Sequence, residues 1–228
     1  CAVTGVVSAG LATYGYPILY GLSAIAWLAY LTADNVDGPH ARRTGQTSIL
    51  GEFLDHGLDG FANGALLITT CFVLRIEGLW MALFLAIGAM GFIVTFWEQY
   101  RTGRLVLPEL SSTEGVTVVM ILEIIACFGN EPTWLHLDLT GLTFSVYLLS
   151  FVLFCYAIAI VQPVWRATKA GAKAFELLYA ATVLAGLVLL VPFGSVALAP
   201  SIAMGFFGAD VVCRLIRLRH EGLERCVV

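Results

Sequence analysis

Charged residues are scarce in this sequence of 228 residues. Asp, Glu, Lys and Arg make up 12% of it and 59% is hydrophobic, whereas a soluble domain carries about 25% charged residues. This scarcity excludes a soluble enzyme, a disordered chain and a small secreted scaffold. Basic residues do not cluster with aromatics, so nothing supports nucleic-acid binding. The six cysteines form no CxxC pair, which favours reduced thiols over a metal knuckle or a disulfide framework.

Long apolar runs take the place of the missing charge, and most are long enough to cross a hydrocarbon core of about 30 Å. They predict an all-α, polytopic bundle of transmembrane helices with about seven spans in this chain. Residues 1–13 resemble the remnant of an earlier span. The predicted spans are 15–38, 49–75, 78–100, 114–129, 140–163, 173–192 and 195–218. Because no linker separates them, we expect residues 1–228 to form a single membrane domain.

Positive charge is biased to one side of the predicted bundle. If successive spans alternate in direction, eleven of the twelve Lys and Arg residues fall on one side and Arg75 alone falls on the other. Loops rich in Lys and Arg remain in the cytoplasm. The sequence therefore predicts that the side with eleven positive residues is cytoplasmic.

Four aspartates lie on this predicted cytoplasmic side. Asp34 and Asp37 are three residues apart at the end of one span, and Asp55 and Asp59 are four apart near the start of the next, a spacing that shares a helix face. Carboxylates at a membrane edge are costly and repel one another unless cations lie between them. Two divalent ions held by carboxylate oxygens would relieve the repulsion and suit phosphoryl transfer. The alternative is a solvated loop, which would not require helical spacing.

Small and cationic residues between these acids suit the same chemistry. Gly38 and Gly51 omit side chains where the backbone must approach a ligand or a metal. Ala41 has only a methyl side chain, so it leaves this helix face open to a ligand. Arg42, one turn beyond Asp37, offers a planar cation that matches phosphate oxygens.

Together these residues fill the pattern D-x2-D-G-x2-A-R-x8-G-x3-D-x3-D without a mismatch, with eight fixed positions in 26 residues. The pattern resembles the signature of the CDP-alcohol phosphotransferases, whose members move a phospho-alcohol from a CDP-alcohol to a second alcohol and release CMP. The resemblance implies that the four aspartates hold two divalent ions, usually Mg²⁺ with Mn²⁺ as a possible substitute. It also implies that the CDP moiety is surrounded by Gly38, Ala41, Arg42 and Gly51.

Two further stretches resemble the eukaryotic-type choline and ethanolamine phosphotransferases. Residues 50–59 read LGEFLDHGLD, similar to LGELFDHGCD of that branch, and residues 97–105 match its WExYxTGxL stretch. Gly60 stands where phosphatidylinositol, phosphatidylserine and phosphatidylglycerophosphate synthases typically have Lys or Arg. The resemblance covers about residues 15–128 and implies that they form the catalytic core. Over 130–228 the apolar runs predict additional transmembrane helices. Since the branch has about ten spans, the resemblance also implies at least one further span before this sequence begins.

The acceptor hydroxyl must lose its proton as it attacks phosphorus, and two side chains are candidate bases. Asp59 holds the position often given this role in the family, although a carboxylate on a metal is a weak base. His56 has an unperturbed pKa closer to neutral, and the branch resemblance favours it with Glu114 as an orienting acidic partner. Glu52, one turn before His56, is a competing partner. A structural histidine bonded to a backbone carbonyl is the alternative.

Other polar residues receive weaker assignments. We expect His220, in the polar tail, to be a surface residue. Glu123 and Asp210 are acids within later spans, which makes them either functional candidates or partners of neighbouring polar groups. Gly60 and Gly64 have a small-xxx-small spacing that favours helix pairing, and related enzymes are commonly homodimers.

The resemblance implies CDP-choline or CDP-ethanolamine as the donor and diacylglycerol, taken from the membrane lipids, as the acceptor. Trp97, Tyr100 and Trp165 could contact either cationic head group. Alternatives are a member with another acceptor or head group, such as a ceramide phosphoethanolamine or phosphatidylinositol synthase, an inactive fragment that only dimerises, and an ion-coupled transporter. The expected location is the endoplasmic reticulum or Golgi for a eukaryotic protein and the inner membrane for a bacterial one.

Overall fold

The computed structural model describes residues 1–106, 112–129, 138–139, 142–191 and 198–222. A short antiparallel pair, β1 (Asp138–Leu139) and β2 (Leu142–Thr143), joins Asp138 to Thr143 and Leu139 to Leu142, and a 3-10 turn covers Ala174–Leu177. The α-helices of the described ranges are α1 (Ala2–Ala12), α2 (Ile18–Thr44), α3 (Ile49–Leu74), α4 (Gly78–Thr102), α5 (Ser112–Phe128), α6 (Phe144–Lys169), α7 (Leu178–Leu189) and α8 (Leu198–Glu221). The predicted all-α class is confirmed.

Each predicted span has a helix in its place, and four of these helices in the described ranges are long and apolar enough to cross a membrane. Those four segments are Ile49–Leu74, Gly78–Thr102, Val146–Lys169 and Ala199–Glu221. They make the chain an integral membrane protein. The helices α5 and α7 have only 17 and 12 residues, so a total of seven spans stays a prediction.

The second helix is longer than the sequence predicts. Its predicted end was residue 38, but α2 continues through Pro39 to Thr44 and stops at Gly45, whose left-handed φ of 68° closes the helix. Proline removes a single backbone donor, and Arg42 and Arg43 in the last turn interact favourably with the negative end of the helix dipole. The first half of the aspartate motif therefore lies on one continuous helix.

The chain packs as two compact units, so the single domain expected above stays a prediction. The first unit comprises Cys1–Thr47, Ala65–Ile76 and Leu110–Val152. In it, α2 packs against α1 and α5 around the fully buried Trp27. The Ser23 hydroxyl donates a hydrogen bond of 2.9 Å to the Gly5 carbonyl, which ties α2 to α1.

The second unit comprises Ser48–Gly64, Glu77–Glu109 and Leu153–Val228. There α4 packs against α7 and α8. The first part of α3 approaches α8 so closely that a Cβ atom at Gly64 would lie 2.8 Å from the Cα of Gly205, and one at Gly60 would lie 2.9 Å from the Cα of Ala209. The helix pairing predicted from Gly60 and Gly64 thus occurs within this chain, and the homodimer stays a prediction.

Candidate active site

The first unit carries the first half of the motif as one stripe along α2. Asp34 is half-buried and Asp37 is exposed, and Gly38, Ala41 and Arg42 follow at the three- and four-residue steps that keep a helix face. A Cβ at Gly38 would lie 3.3 Å from Nη1 of Arg42. The glycine therefore leaves room for the guanidinium to lie back along the helix over Gly38.

The second half of the motif begins at a helix cap. The backbone N–H of Gly51 donates to Oγ of Ser48 at 2.9 Å, the usual bond between a capping serine and the third helical residue. A Cβ at Gly51 would lie 3.2 Å from the same oxygen. Glycine thus fits the cap closely, and its predicted place beside the CDP moiety stays a prediction.

Asp55 and Asp59 come one and two turns after this cap. Their side chains are 37% and 27% exposed, and one carboxylate oxygen of each lies within 4.8 Å of the other. Carboxylates at this separation repel each other when both are ionised. Oxygen donors of this kind are those that hard divalent cations prefer, so the pair could hold a divalent metal ion.

His56 lies between these two aspartates in space as well as in sequence. Its Nδ1 is 4.0 Å from an oxygen of Asp55 and 4.0 Å from an oxygen of Asp59. Its side chain is 18% exposed and its ring centroid is 5.0 Å from that of Phe96. The imidazole is therefore half-buried but still reachable, next to the two candidate metal ligands.

Glu52, which the sequence predicts as an alternative acidic partner of His56, contacts α8 in the structure. Its Oε1 is 3.8 Å from Nε2 of His56, which is longer than a hydrogen bond. The same oxygen accepts a hydrogen bond from Arg219, and Oε2 lies 2.9 Å from Nε2 of His220. His220 is exposed, as expected, and its ring also contacts Glu52.

Glu114, the other predicted partner of His56, lies in the first turn of α5 and is exposed. It belongs to the first unit, whereas His56 belongs to the second. Its pairing with His56 stays a prediction.

The carboxyl end of α4 holds two ion pairs that the sequence did not reveal. Glu98 is 1% exposed and accepts hydrogen bonds from Nε and Nη2 of Arg166 at 2.5 and 2.8 Å. Glu176 accepts from Nε of Arg101 at 2.7 Å and from Nε1 of Trp97 at 2.9 Å. The resemblance singled out the α4 stretch, but the partners are 68 to 79 residues away along the chain.

The Glu176 carboxyl lies in the 3-10 turn, outside the four candidate spans. Burial by itself would raise the pKa of this carboxyl. The hydrogen bonds from Arg101 and Trp97, with the positive charge of Arg101, outweigh that effect and lower its pKa below the usual value. Glu176 is therefore held as an ionised structural partner.

The aromatics predicted to contact a head group differ in accessibility. Trp97 is 1% exposed and donates to Glu176, which favours a structural role; its contact with a head group stays a prediction. Trp165 is exposed, and Nζ of Lys169 lies 3.8 Å from its ring centroid. The guanidinium carbon of Arg101 lies 5.2 Å from the ring of Tyr100. Contact of Tyr100 or Trp165 with a head group stays a prediction.

The two acids predicted within later spans have different surroundings. Asp210 forms an exposed ion pair of 2.8 Å with Arg214, one turn away on α8, which favours the pairing alternative. Glu123 is completely buried in the first unit, where Ser23 is its polar neighbour.

Comparison with known proteins decides the family. A family model described as CDP-alcohol phosphatidyltransferase matches residues 6–207. The chain belongs to this family. The CDP-alcohol phosphatidyltransferase family consists of transferases, and the match covers both halves of the aspartate motif.

Individual relatives within the family point to one branch. The chain is 34% identical over 114 residues to cholinephosphotransferase 1 of Saccharomyces cerevisiae, which is 49% of this chain and 29% of that protein. It is 36% identical over 117 residues to human ethanolaminephosphotransferase 1, and this alignment covers 46% of this chain and 28% of that protein. It is 37% identical over 116 residues to a class-I family protein of Dictyostelium discoideum, covering 50% and 28%. In these alignments the chain spans less than a third of each relative's length.

Proposed function

We propose that this protein transfers phosphocholine or phosphoethanolamine from a CDP-alcohol to the hydroxyl of diacylglycerol and releases CMP. The observation that carries the proposal is the grouping of Asp55, His56 and Asp59 at the start of α3, within a motif that is complete in the sequence. The names of the relatives supply the candidate head groups, because one is a cholinephosphotransferase and another an ethanolaminephosphotransferase.

The four aspartates of the motif are proposed to hold two divalent ions, Mg²⁺ or Mn²⁺. The donor chemistry of Asp55 and Asp59 fits such ions, since each offers a carboxylate oxygen within 4.8 Å of the other. Asp34 and Asp37 are included as proposed metal ligands because they belong to the same sequence motif. Bound divalent ions would neutralise negative charge on the diphosphate of the donor.

The residues around the aspartates are proposed to bind the CDP moiety. Arg42 offers a planar guanidinium that can pair with phosphate oxygens in a bidentate manner. Gly38 and Ala41 on the same stripe of α2, and Gly51 at the start of α3, omit large side chains where the nucleotide must approach the backbone.

In the proposed reaction the acceptor oxygen bonds to the phosphorus that carries the choline or ethanolamine. The bond from this phosphorus to the oxygen bridging it to the other phosphate breaks, and CMP leaves with that electron pair. His56 takes the hydroxyl proton as general base, and Glu114 orients its ring. Asp59 is the alternative base, and it shares the same helix face.

The membrane setting completes the proposal. The chain contains helices that can cross the bilayer, so the acceptor lipid can reach the site laterally while the CDP-alcohol arrives from the cytoplasm. The biased positive charge supports a cytoplasmic site. We further propose a homodimer, located in the endoplasmic reticulum or Golgi if the protein is eukaryotic and in the inner membrane if it is bacterial.

The test is CMP release by the purified chain in lipid-containing detergent with Mg²⁺ and diacylglycerol. CDP-choline and CDP-ethanolamine are supplied separately, and each assay is repeated without the acceptor. We expect release that requires both substrates and Mg²⁺, and the donor that supports it names the head group. Absence of release with either donor, in protein whose folding is verified by a cooperative thermal transition, would contradict the proposal.

A further inference from the structure

The contact between Glu52 and the end of α8 is not part of the motif that defines the family. Glu52 lies one turn before His56 on α3, and its two carboxylate oxygens contact Arg219 and His220. Both partners lie beyond residue 207, where the family match ends. All of these residues belong to the second unit. The role of α8 at this point therefore has to be derived from the contact itself.

Arg219 and His220 keep the Glu52 carboxylate apart from the His56 ring. Glu52 Oε1 is only 3.8 Å from Nε2 of His56, so a small side-chain rotation would make a hydrogen bond between them. Arg219 occupies that oxygen, and His220 occupies the other at 2.9 Å. On its other side, Nδ1 of His56 faces Asp55 and Asp59. The α8 residues thus hold Glu52 in a position where Nε2 of His56 is not bonded to it.

We propose that Arg219 and His220 are positioning residues that restrain Glu52, so that Nε2 of His56 remains available to take the proton of the acceptor hydroxyl. The inference rests on the proposed function, because it assumes that His56 is the base. It differs from a purely structural ion pair in one respect: removing the restraint harms the reaction through Glu52. Removing Glu52 as well should then repair the harm.

The experiment compares kcat for CMP release in four forms of the full chain: wild type, Glu52→Gln, Arg219→Gln/His220→Gln, and the triple variant. We expect the double variant to lose about tenfold in kcat, the scale of one charge-assisted hydrogen bond between the released Glu52 and His56, with an unchanged KM for the CDP-alcohol. Glu52→Gln alone should stay within about threefold of wild type, because a neutral amide competes weakly for the imidazole. The triple variant should return to the level of Glu52→Gln.

Arg217→Gln is the matched control. Arg217 lies on the same helix, two residues before Arg219, and its Nε donates at 2.7 Å to Glu221 rather than to α3. This variant should keep the kcat of wild type. If the double variant does not fold, Arg219→Gln alone carries the test, because Arg219 holds the Glu52 oxygen that faces His56. We then expect a fall of about threefold in kcat that Glu52→Gln again reverses.

The inference is overturned if the double variant keeps wild-type kcat, or if adding Glu52→Gln fails to restore activity. A loss in all variants that tracks their thermal stability would likewise show a structural contact only. If wild-type protein releases no CMP with either donor, the proposed function fails and this inference fails with it. Wild-type activity combined with an unaffected double variant would refute the inference alone.

Discussion

Two polar regions of the second unit use their carboxylates in opposite ways. At the end of α4, Glu98 and Glu176 each contact an arginine, and Glu98 is almost completely buried. At the start of α3, the carboxylates of Asp55 and Asp59 lie within 4.8 Å of each other. The attraction between a carboxylate and an arginine can offset the cost of burying them when both are well hydrogen-bonded, whereas two neighbouring ionised carboxylates cost free energy of folding. Local costs of this kind are typical of functional sites.

The largest expected effect comes from removing one member of the acid pair. Asp55→Asn should lower kcat for CMP release by at least about a thousandfold, since a divalent ion contributes several kcal/mol to a phosphoryl transfer. Removing the repulsion with Asp59 should leave the free energy of unfolding unchanged or slightly higher. Kinetic assays and thermal unfolding of the same preparations test both points. A variant that keeps a tenth of the activity would contradict the metal assignment.

The next effect concerns the histidine between the two aspartates. His56→Ala should lower kcat by about a hundredfold or more, the usual contribution of a general base, while the KM for the CDP-alcohol changes little. Near-normal turnover would remove His56 from the mechanism and leave Asp59 as the base. His220→Ala is a useful comparison, because that histidine contacts Glu52 rather than the two aspartates.

At the other region the expected effect is on stability. Glu98→Gln leaves Arg166 without its charged partner and should lower the free energy of unfolding by about 1.5–3 kcal/mol, the contribution of hydrogen bonds to a charged group, because Arg166 itself is only partly buried. Activity per folded molecule should stay within about threefold of wild type, since the pair takes no part in the proposed reaction. Denaturant unfolding and kinetics of Glu98→Gln, Arg166→Gln and the double variant test this. Additive losses in the double variant would show that the two side chains are not coupled.

The packing face of α3 offers a smaller effect with a clean control. Gly64→Ala places a methyl group against the backbone of Gly205, 2.8 Å from its Cα, and should cost about 1–3 kcal/mol of stability. Gly186→Ala on α7 meets no heavy atom within 4 Å and should be neutral or stabilising by less than about 1 kcal/mol. Equal thermal stability of the two variants would contradict the close approach of α3 and α8.

The smallest effect is expected at the exposed pair on α8. Asp210→Asn removes an ion pair in which both side chains are more than half exposed. Such pairs contribute less than about 1 kcal/mol, and Asp210 has no role in the proposed reaction. Thermal stability and kcat should both remain close to wild type. A large loss of activity would show that an acid outside the motif takes part in function.

The helices and the two halves of the motif could be predicted because they depend on local spacing. Apolar runs fixed the position of each helix, and the four-residue step from Asp55 to Asp59 predicted a shared face of α3. The end of α2 could not be predicted, because a proline usually ends a helix, whereas Pro39 lies inside α2. Local sequence patterns therefore predict which residues share a helix face better than they predict where a helix ends.

The contacts that join distant parts of the chain could not be predicted from spacing. Glu98 and Arg166 are 68 residues apart, and Glu52 and Arg219 are 167 apart. The sequence indicated which acids belong to the motif. It could not indicate which arginine pairs with each acid outside the motif, because that depends on how the helices pack. For the same reason the sequence could not indicate that Glu52 and Trp97 each contact a residue from a later segment of the chain.

Direct binding of Mn²⁺ is the measurement that tests the central claim, that the acid face of α3 holds a divalent ion. Electron paramagnetic resonance of free Mn²⁺, titrated with purified chain in detergent, reports the bound fraction without relying on turnover. We predict that wild type and Asp210→Asn bind Mn²⁺ alike, that Asp55→Asn binds it at least about tenfold more weakly, and that Mg²⁺ competes. Equal affinity of Asp55→Asn and wild type would contradict the account.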